Sequence, residues 1–156
     1  DARATGETLS SPQHLPALQY SSDASLGATL STPMNVDILI VEDDFLIAFD
    51  LEAALKDAGF VVVGVAASAE EALALAGKHS PSVVIMDVRL VGSRDGIDAA
   101  LELYSRHGLR CVFASAHSDE ETRKRAEPAQ PLGWIEKPYS VRTVIEFVQD
   151  LASKRS

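Results

Sequence analysis

The chain is poor in cysteine, in positive charge and in long apolar runs, and each shortage excludes something. A single cysteine, Cys111, permits no internal disulfide and fits a reducing, cytoplasmic compartment. It lies in an apolar run over 111–114, where an inert buried thiol is expected. No stretch approaches the roughly 18 consecutive apolar residues of a membrane span, so no membrane association is expected. The first residues lack a positive segment followed by a compact apolar core, so they do not read as a secretory leader. Lys and Arg number 14 against 23 Asp and Glu, a formal net charge of −9. Binding to a phosphate backbone needs clustered cations, so direct nucleic-acid binding is not expected. His14, His79 and His107 show no metal-ligand spacing and read as surface residues.

What is present suffices for one domain with a real core and a tail. Residues 1–34 are rich in Ser, Thr and Ala, carry Pro12, Pro16 and Pro33, and hold no helical or strand period. They read as a flexible arm or linker, with Met34 a candidate natural start, and residues 35–156 as the domain.

The domain is organised around residues 36–44, VDILIVEDD. The unbroken β-branched run at 38–41 reads as a strand buried on both faces, the usual state in a parallel sheet. It ends abruptly in Glu42, Asp43 and Asp44. Like charges this close disfavour ionisation unless a cation sits among them, and a hard oxygen-seeking ion such as Mg²⁺ fits. Asp44 is better placed to cap the following helix than to ligate.

Alternation of strand and helix then continues to the end. A helix over 44–58 carries Ile47, Leu51, Ala54 and Leu55, with Gly59 as its stop. An apolar strand spans 60–66, and Ser68 with Glu71 forms a capping box for a helix to His79. A third strand, 83–86, ends at Asp87; a helix carrying Ile97, Ala100, Leu101 and Tyr104 stops at Gly108. A fourth strand, 109–114, ends at Ser115, and Ser118 with Glu121 predicts another capping box. That helix is polar from Thr122 to Arg125 and is cut by Pro128 and Pro131, so it has only Ala126 to bury. Trp134 and Ile135 form a short fifth strand before Glu136, Lys137 and Pro138, and Ser140 caps a last helix through Val144, Val148 and Leu151.

Five such units predict a five-stranded, doubly wound parallel sheet with helices on both faces. Sites in these sheets lie at the carboxyl ends of the strands. Glu42, Asp43, Asp87, Ser115 and Lys137 all fall at such ends. A carboxylate can attack phosphorus and become an acyl phosphate, given cations to neutralise the transferred group. Glu42 and Asp43 can hold Mg²⁺, with Asp87 and a nearby backbone carbonyl completing the protein ligands. Lys137 supplies a point charge and Ser115 a hydrogen bond. The set is complete for an aspartyl-phosphate site.

Taken in order, VEDD, VIMDVRL, FASAH and WIEKPY resemble the receiver domain of two-component response regulators over 36–153. The resemblance implies a flavodoxin-like sheet of order 2-1-3-4-5. It implies that Asp87 accepts a phosphoryl group from a phosphohistidine on a histidine kinase or histidine phosphotransfer protein. It further implies Mg²⁺ on Glu42 and Asp43 with the Val88 carbonyl as another ligand, Ser115 as switch hydroxyl, Trp134 as switch aromatic, and a cis Lys137–Pro138 bond. Such a domain is a signalling phosphoacceptor rather than an enzyme, changing protein contacts at its fourth and fifth helices, with a homodimer among the admissible assemblies. FASAH is similar to the FATGY-like receivers, a subgroup paired with one atypical kinase group. Several features depart from the common pattern: no proline after the third strand, the short polar fourth helix, Gln130 to Leu132 in place of small residues, and the bulk of Trp134.

Arg89 and His117, two positions beyond Asp87 and Ser115, are expected at the mouth of the site, where they tune the approach of attacking water. Two other readings compete. Phosphatases resembling the haloacid dehalogenases also combine an aspartate nucleophile, Mg²⁺ and lysine, but place the nucleophile in a D-x-D pattern on the first strand, which VEDDF lacks. A receiver-like adaptor or phosphate sink without phosphorylation-driven output is the other.

Overall fold

The computed structural model describes residues 36–116 and 118–154; the proposed arm, 1–34, and His117 lie outside the described residues. Five strands, β1 (Asp37–Val41), β2 (Val61–Ala66), β3 (Val83–Asp87), β4 (Cys111–Ser115) and β5 (Gly133–Glu136), form one sheet of order β2-β1-β3-β4-β5. Every pairing is parallel. The helices between them are α1 (Phe45–Asp57), α2 (Ala69–His79), α3 (Gly96–His107), α4 (Glu120–Ala126) and α5 (Val141–Lys154).

Period-two alternation sends successive strand residues to opposite faces. Leu39, Val41, Val84, Met86, Cys111 and Phe113 pack with α2 and α3 on one side. Ile38, Ile40, Val83, Ile85 and Val112 pack with α1 and α5 on the other. The three central strands are buried nearly throughout, which is why their sequences read as unbroken apolar runs. β2 differs: as an edge strand it leaves Val61 53% and Val65 38% exposed, although its sequence is equally apolar.

The caps fix where each helix starts and hence where each strand end points. Asp44 does cap α1, accepting from Leu46 N and Ile47 N. Ser68 caps α2 through Glu71 N, while Glu71 reaches past the cap to Ala67 N. The expected Ser118 cap is corrected by one residue: Asp119 caps α4, accepting from Thr122 N at 2.8 Å. Ser118 and Asp119 are comparable caps, and the one in register with the first helical N–H groups takes the role. Ser140 accepts from Thr143 N as expected. α3 carries a reciprocal box the sequence reading missed, Asp95 with Asp98. No described helix is long and apolar enough to cross a membrane.

Candidate functional site

The carboxyl ends of β1, β3, β4 and β5 meet in a cleft of about 570 Å³, lined by Glu42, Asp43, Asp87, Arg89, Ser115 and Lys137 among others. Glu42, Asp87 and Ser115 are the three buried polar side chains among the described residues. Such groups are costly without partners, and two have a shared one. Lys137 Nζ lies 2.9 Å from Glu42 Oε1 and 3.1 Å from Asp87 Oδ2. The ammonium reaches them because β5 ends beside β4, where Lys137 N donates to Ser115 O at 2.9 Å, after which the chain turns through a cis Lys137–Pro138 bond.

Backbone donors hold the outer oxygens. Asp44 N donates to Glu42 Oε2 at 3.0 Å, and Arg89 N to Asp87 Oδ1 at 3.3 Å. That second bond orients a peptide plane. In a trans peptide the N–H and the preceding carbonyl point oppositely. With Arg89 N turned to the carboxylate, the Val88 carbonyl faces away and accepts from Gly96 N at 2.7 Å. The geometry therefore does not bring the Val88 carbonyl to the acidic cluster, although Val88 itself borders the cleft.

Glu42, Asp43 and Asp87 each offer a carboxylate oxygen within 4.8 Å of the others. Oxygen donors of this kind suit a hard divalent cation. Burial raises Glu42, outweighing the Asp44 and Lys137 hydrogen bonds that lower it. Asp43 is also raised, first by burial and then by its hydrogen bond with Glu42. For Lys137, burial alone would lower the value, but the bond to Glu42 and the charge of Asp87 leave it raised.

These directions fix a pH dependence. A carboxyl raised in the fold binds its proton more tightly than in the unfolded chain, so ionising Glu42 and Asp43 costs stability as pH rises through their folded values. That cost is present above the folded values, and a bound cation would offset it. Mg²⁺ should therefore raise the melting temperature at pH 7. The increment should shrink on acidification before ordinary carboxylates, at about 4, are protonated. Thermal unfolding with and without Mg²⁺ from pH 7 to 4.5 checks this; an increment flat across that range would contradict it.

Arg89 is exposed at the cleft mouth, as expected, whereas His117 falls outside the described residues. Trp134 is partly buried, its ring stacked on Phe113 with centroids 4.6 Å apart. The sequence reading missed Asp119 and Thr122, which bring the start of α4 to the cleft wall. The adjacent Ser-Asp pair was the available signal.

A doubly wound parallel sheet with an acid–lysine cleft at its carboxyl edge is the architecture of an aspartyl-phosphate switch. The sequence model of the response regulator receiver domain matches residues 38–149, and the chain belongs to that family. It is 38% identical over 117 residues to the transcriptional regulatory protein PdtaR of Mycobacterium tuberculosis, covering 75% of this chain and 57% of the relative. It is 34% identical over 134 residues to the phyllosphere-induced regulator PhyR of Methylorubrum extorquens, covering 83% of this chain and 50% of PhyR. The chain thus spans about half the length of these curated relatives. Among solved structures, the signal receiver domain of a modulated diguanylate cyclase from Desulfovibrio desulfuricans superposes with TM-score 0.69 at 32% identity, covering 76% of this chain and 94% of that one. A CheY-like receiver from Methanospirillum hungatei, at 22% identity and TM-score 0.69, shares the fold; it covers 76% of this chain and 94% of its own.

Proposed function

We propose that Asp87 is the phosphoacceptor of this receiver domain, taking a phosphoryl group from a phosphohistidine on a histidine kinase or phosphotransfer protein. One observation carries this: Lys137 and Glu42, 95 positions apart in sequence, close on Asp87 in a single cleft. An Asp87 oxygen attacks phosphorus, the P–N bond of the donor breaks, and its electron pair returns to the imidazole. Lys137 meets the charge on a transferred oxygen, and Ser115 donates to another. Glu42, Asp43 and Asp87 would hold Mg²⁺ through their carboxylate oxygens. A divalent ion held there would help offset the negative charge of the transferred group. Arg89, at the mouth, governs the approach of hydrolytic water. FASAH supports placement among the FATGY-like receivers. The acquired charge then biases which protein partner binds.

Incubation with acetyl phosphate and Mg²⁺, followed by intact mass, tests the reading. One added phosphoryl group on Asp87 is the expected result; an unmodified chain would favour the pure adaptor, and steady release of phosphate the hydrolase. Lys137→Ala should still bind Mg²⁺ but accept phosphate about ten- to a hundredfold more slowly, the worth of one charge-assisted hydrogen bond in the transition state. Stopped-flow phosphorylation rates check this, and an unchanged rate would remove Lys137 from the chemistry.

A further inference from the structure

The edge of the sheet opposite the phosphoacceptor cleft carries a second hollow. Here the amino ends of β3, β4 and β5 meet the last turn of α5, and a cavity of about 490 Å³ opens between them. Pro81, Val83, Leu132 and Leu151 supply apolar wall, and Arg110 and Lys154 supply cations. No Asp or Glu among the described residues lines it, although acids outnumber Lys and Arg by 23 to 14 in the chain. An apolar lining with a few fixed polar groups, at this volume, has the make-up of a small-molecule site.

Arg110 is held in place. Its Nε donates to the Gln130 carbonyl at 2.7 Å, while neither Nη1 nor Nη2 has an acceptor among the described residues. The anchor is itself fixed. Gln130 has φ 50° and ψ 62°, left-handed backbone that a residue with a side chain adopts at a cost and keeps only where its surroundings impose it. Gln130 N donates to Glu127 O at 2.9 Å, and Leu132 N to Cys111 O at 2.8 Å. Val84 N ties the other side, donating to Arg110 O at 3.3 Å. A guanidinium pinned through Nε presents its terminal nitrogens as a planar fork, which matches the two oxygens of a carboxylate. Lys154 is less available, its Nζ lying 3.1 Å from Asp150 Oδ2. The last turn of α5 also directs carbonyls toward this edge, so an anion is better placed at Arg110 than at the helix end.

We propose that this cavity binds a small amphipathic monocarboxylate, with its carboxylate on the Arg110 fork and its apolar body along Val83, Leu132 and Leu151. An anion without an apolar body would leave the wall in water. A neutral molecule of the same shape would displace water from the guanidinium without replacing its hydrogen bonds. Both halves are therefore needed: burial of the body contributes affinity, and the bidentate pair fixes orientation. The site lies at the far edge of the sheet from Asp87, so it stands whether or not that carboxylate accepts phosphate.

Phenylbutyrate, phenylbutanol and inorganic phosphate are each titrated into the isotope-labelled full chain, and the backbone amide NMR shifts of Val83, Leu132 and Leu151 are followed. The expected pattern is a saturable shift with phenylbutyrate, binding about tenfold or more weaker for phenylbutanol, and no movement of these amides with phosphate. Arg110→Gln, its fold checked by circular dichroism, should weaken phenylbutyrate by about tenfold or more and leave phenylbutanol unchanged. Arg110→Lys, which keeps the charge without the planar fork, should fall between. If Arg110→Gln does not fold, the comparison of acid with alcohol on the parent chain decides alone. No saturable shift at about 10 mM phenylbutyrate overturns the site, since even a modest ligand of this size binds more tightly. Equal binding of acid and alcohol overturns it too, as does phosphate binding as tightly as the acid. So does phenylbutyrate binding Arg110→Gln as well as the parent chain.

Discussion

Asp87→Asn should lose covalent phosphorylation by acetyl phosphate to below detection, together with the beryllofluoride adduct, while the fold survives. The amide matches the carboxylate in shape but is not a nucleophile. Its oxygen still accepts from Arg89 N, and Lys137 keeps Glu42 as partner. The substitution also removes one of three crowded carboxylates. Unfolding without Mg²⁺ should therefore shift little or upward, and the shift conferred by Mg²⁺ should shrink. Intact mass and thermal melts read both halves. Undiminished phosphorylation of Asp87→Asn would assign the acceptor elsewhere, with Asp43 next to be examined.

Gly96→Ala should be strongly destabilising, although it adds only a methyl group. Gly96 opens α3, and its N–H holds the Val88 carbonyl at 2.7 Å, drawing the α3 N-terminus against the end of β3. An added Cβ would overlap the Asp87 carbonyl oxygen and stand 2.9 Å from the Asp87 carbonyl carbon and 3.0 Å from Met86 Cγ. Two of the three obstacles are backbone, which cannot rotate aside. The expected loss is about 3 kcal/mol or more, the upper end for overpacking. That corresponds to about 10–20 °C in melting temperature for a domain of this size. Gly108→Ala is the natural control. It has open space around it and only a positive φ of 68° to cost it, so about 1 kcal/mol is expected. Equal melting temperatures for the two variants would show that β3 and α3 can separate more easily than the packing implies.

Much of this architecture was legible from the residues. The buried runs of β1, β3 and β4 announced themselves because strands covered on both faces need apolar side chains at every position. The carboxylates, hydroxyl and lysine stood out because polar groups close such runs so abruptly. The same rule hid the edge position of β2, since an apolar strand looks alike whether or not a second neighbour pairs with it. Contacts that depend on how two elements meet left no local trace. Nothing near Gly96 in sequence shows that Asp87 presses on it, and nothing near Arg125 shows that Asp95 lies within reach. The hydrogen bond of the Val88 carbonyl was hidden for a related reason: its donor is Gly96, eight positions on. The α3 cap escaped notice because Asp98, not Glu or Gln, occupies the reciprocal position.

Burial also governs the side groups of the site. The depth of Cys111 pushes its thiol far above the ordinary range, leaving it protonated and inert as expected. Burial likewise pushes the Tyr139 phenol up to about 12, so it stays neutral beside the cleft. Asp95 behaves oppositely. Burial would raise it, but the hydrogen bonds from Arg125 prevail and hold it below the usual carboxylate range. The Arg125–Asp95 ion pair is therefore lost as the pH falls through the lowered Asp95 value.

Lys137 hangs from the end of β5, a strand of four residues at the outer margin of the sheet with a single neighbour. Margins of this kind fray at a lower free energy than the interior. Each time the last ladder rungs open, the cleft loses its only lysine while β1 and β3 still hold their acids in place. On warming, the contact of Lys137 with Glu42 and Asp87 should therefore open before the interior of the sheet does.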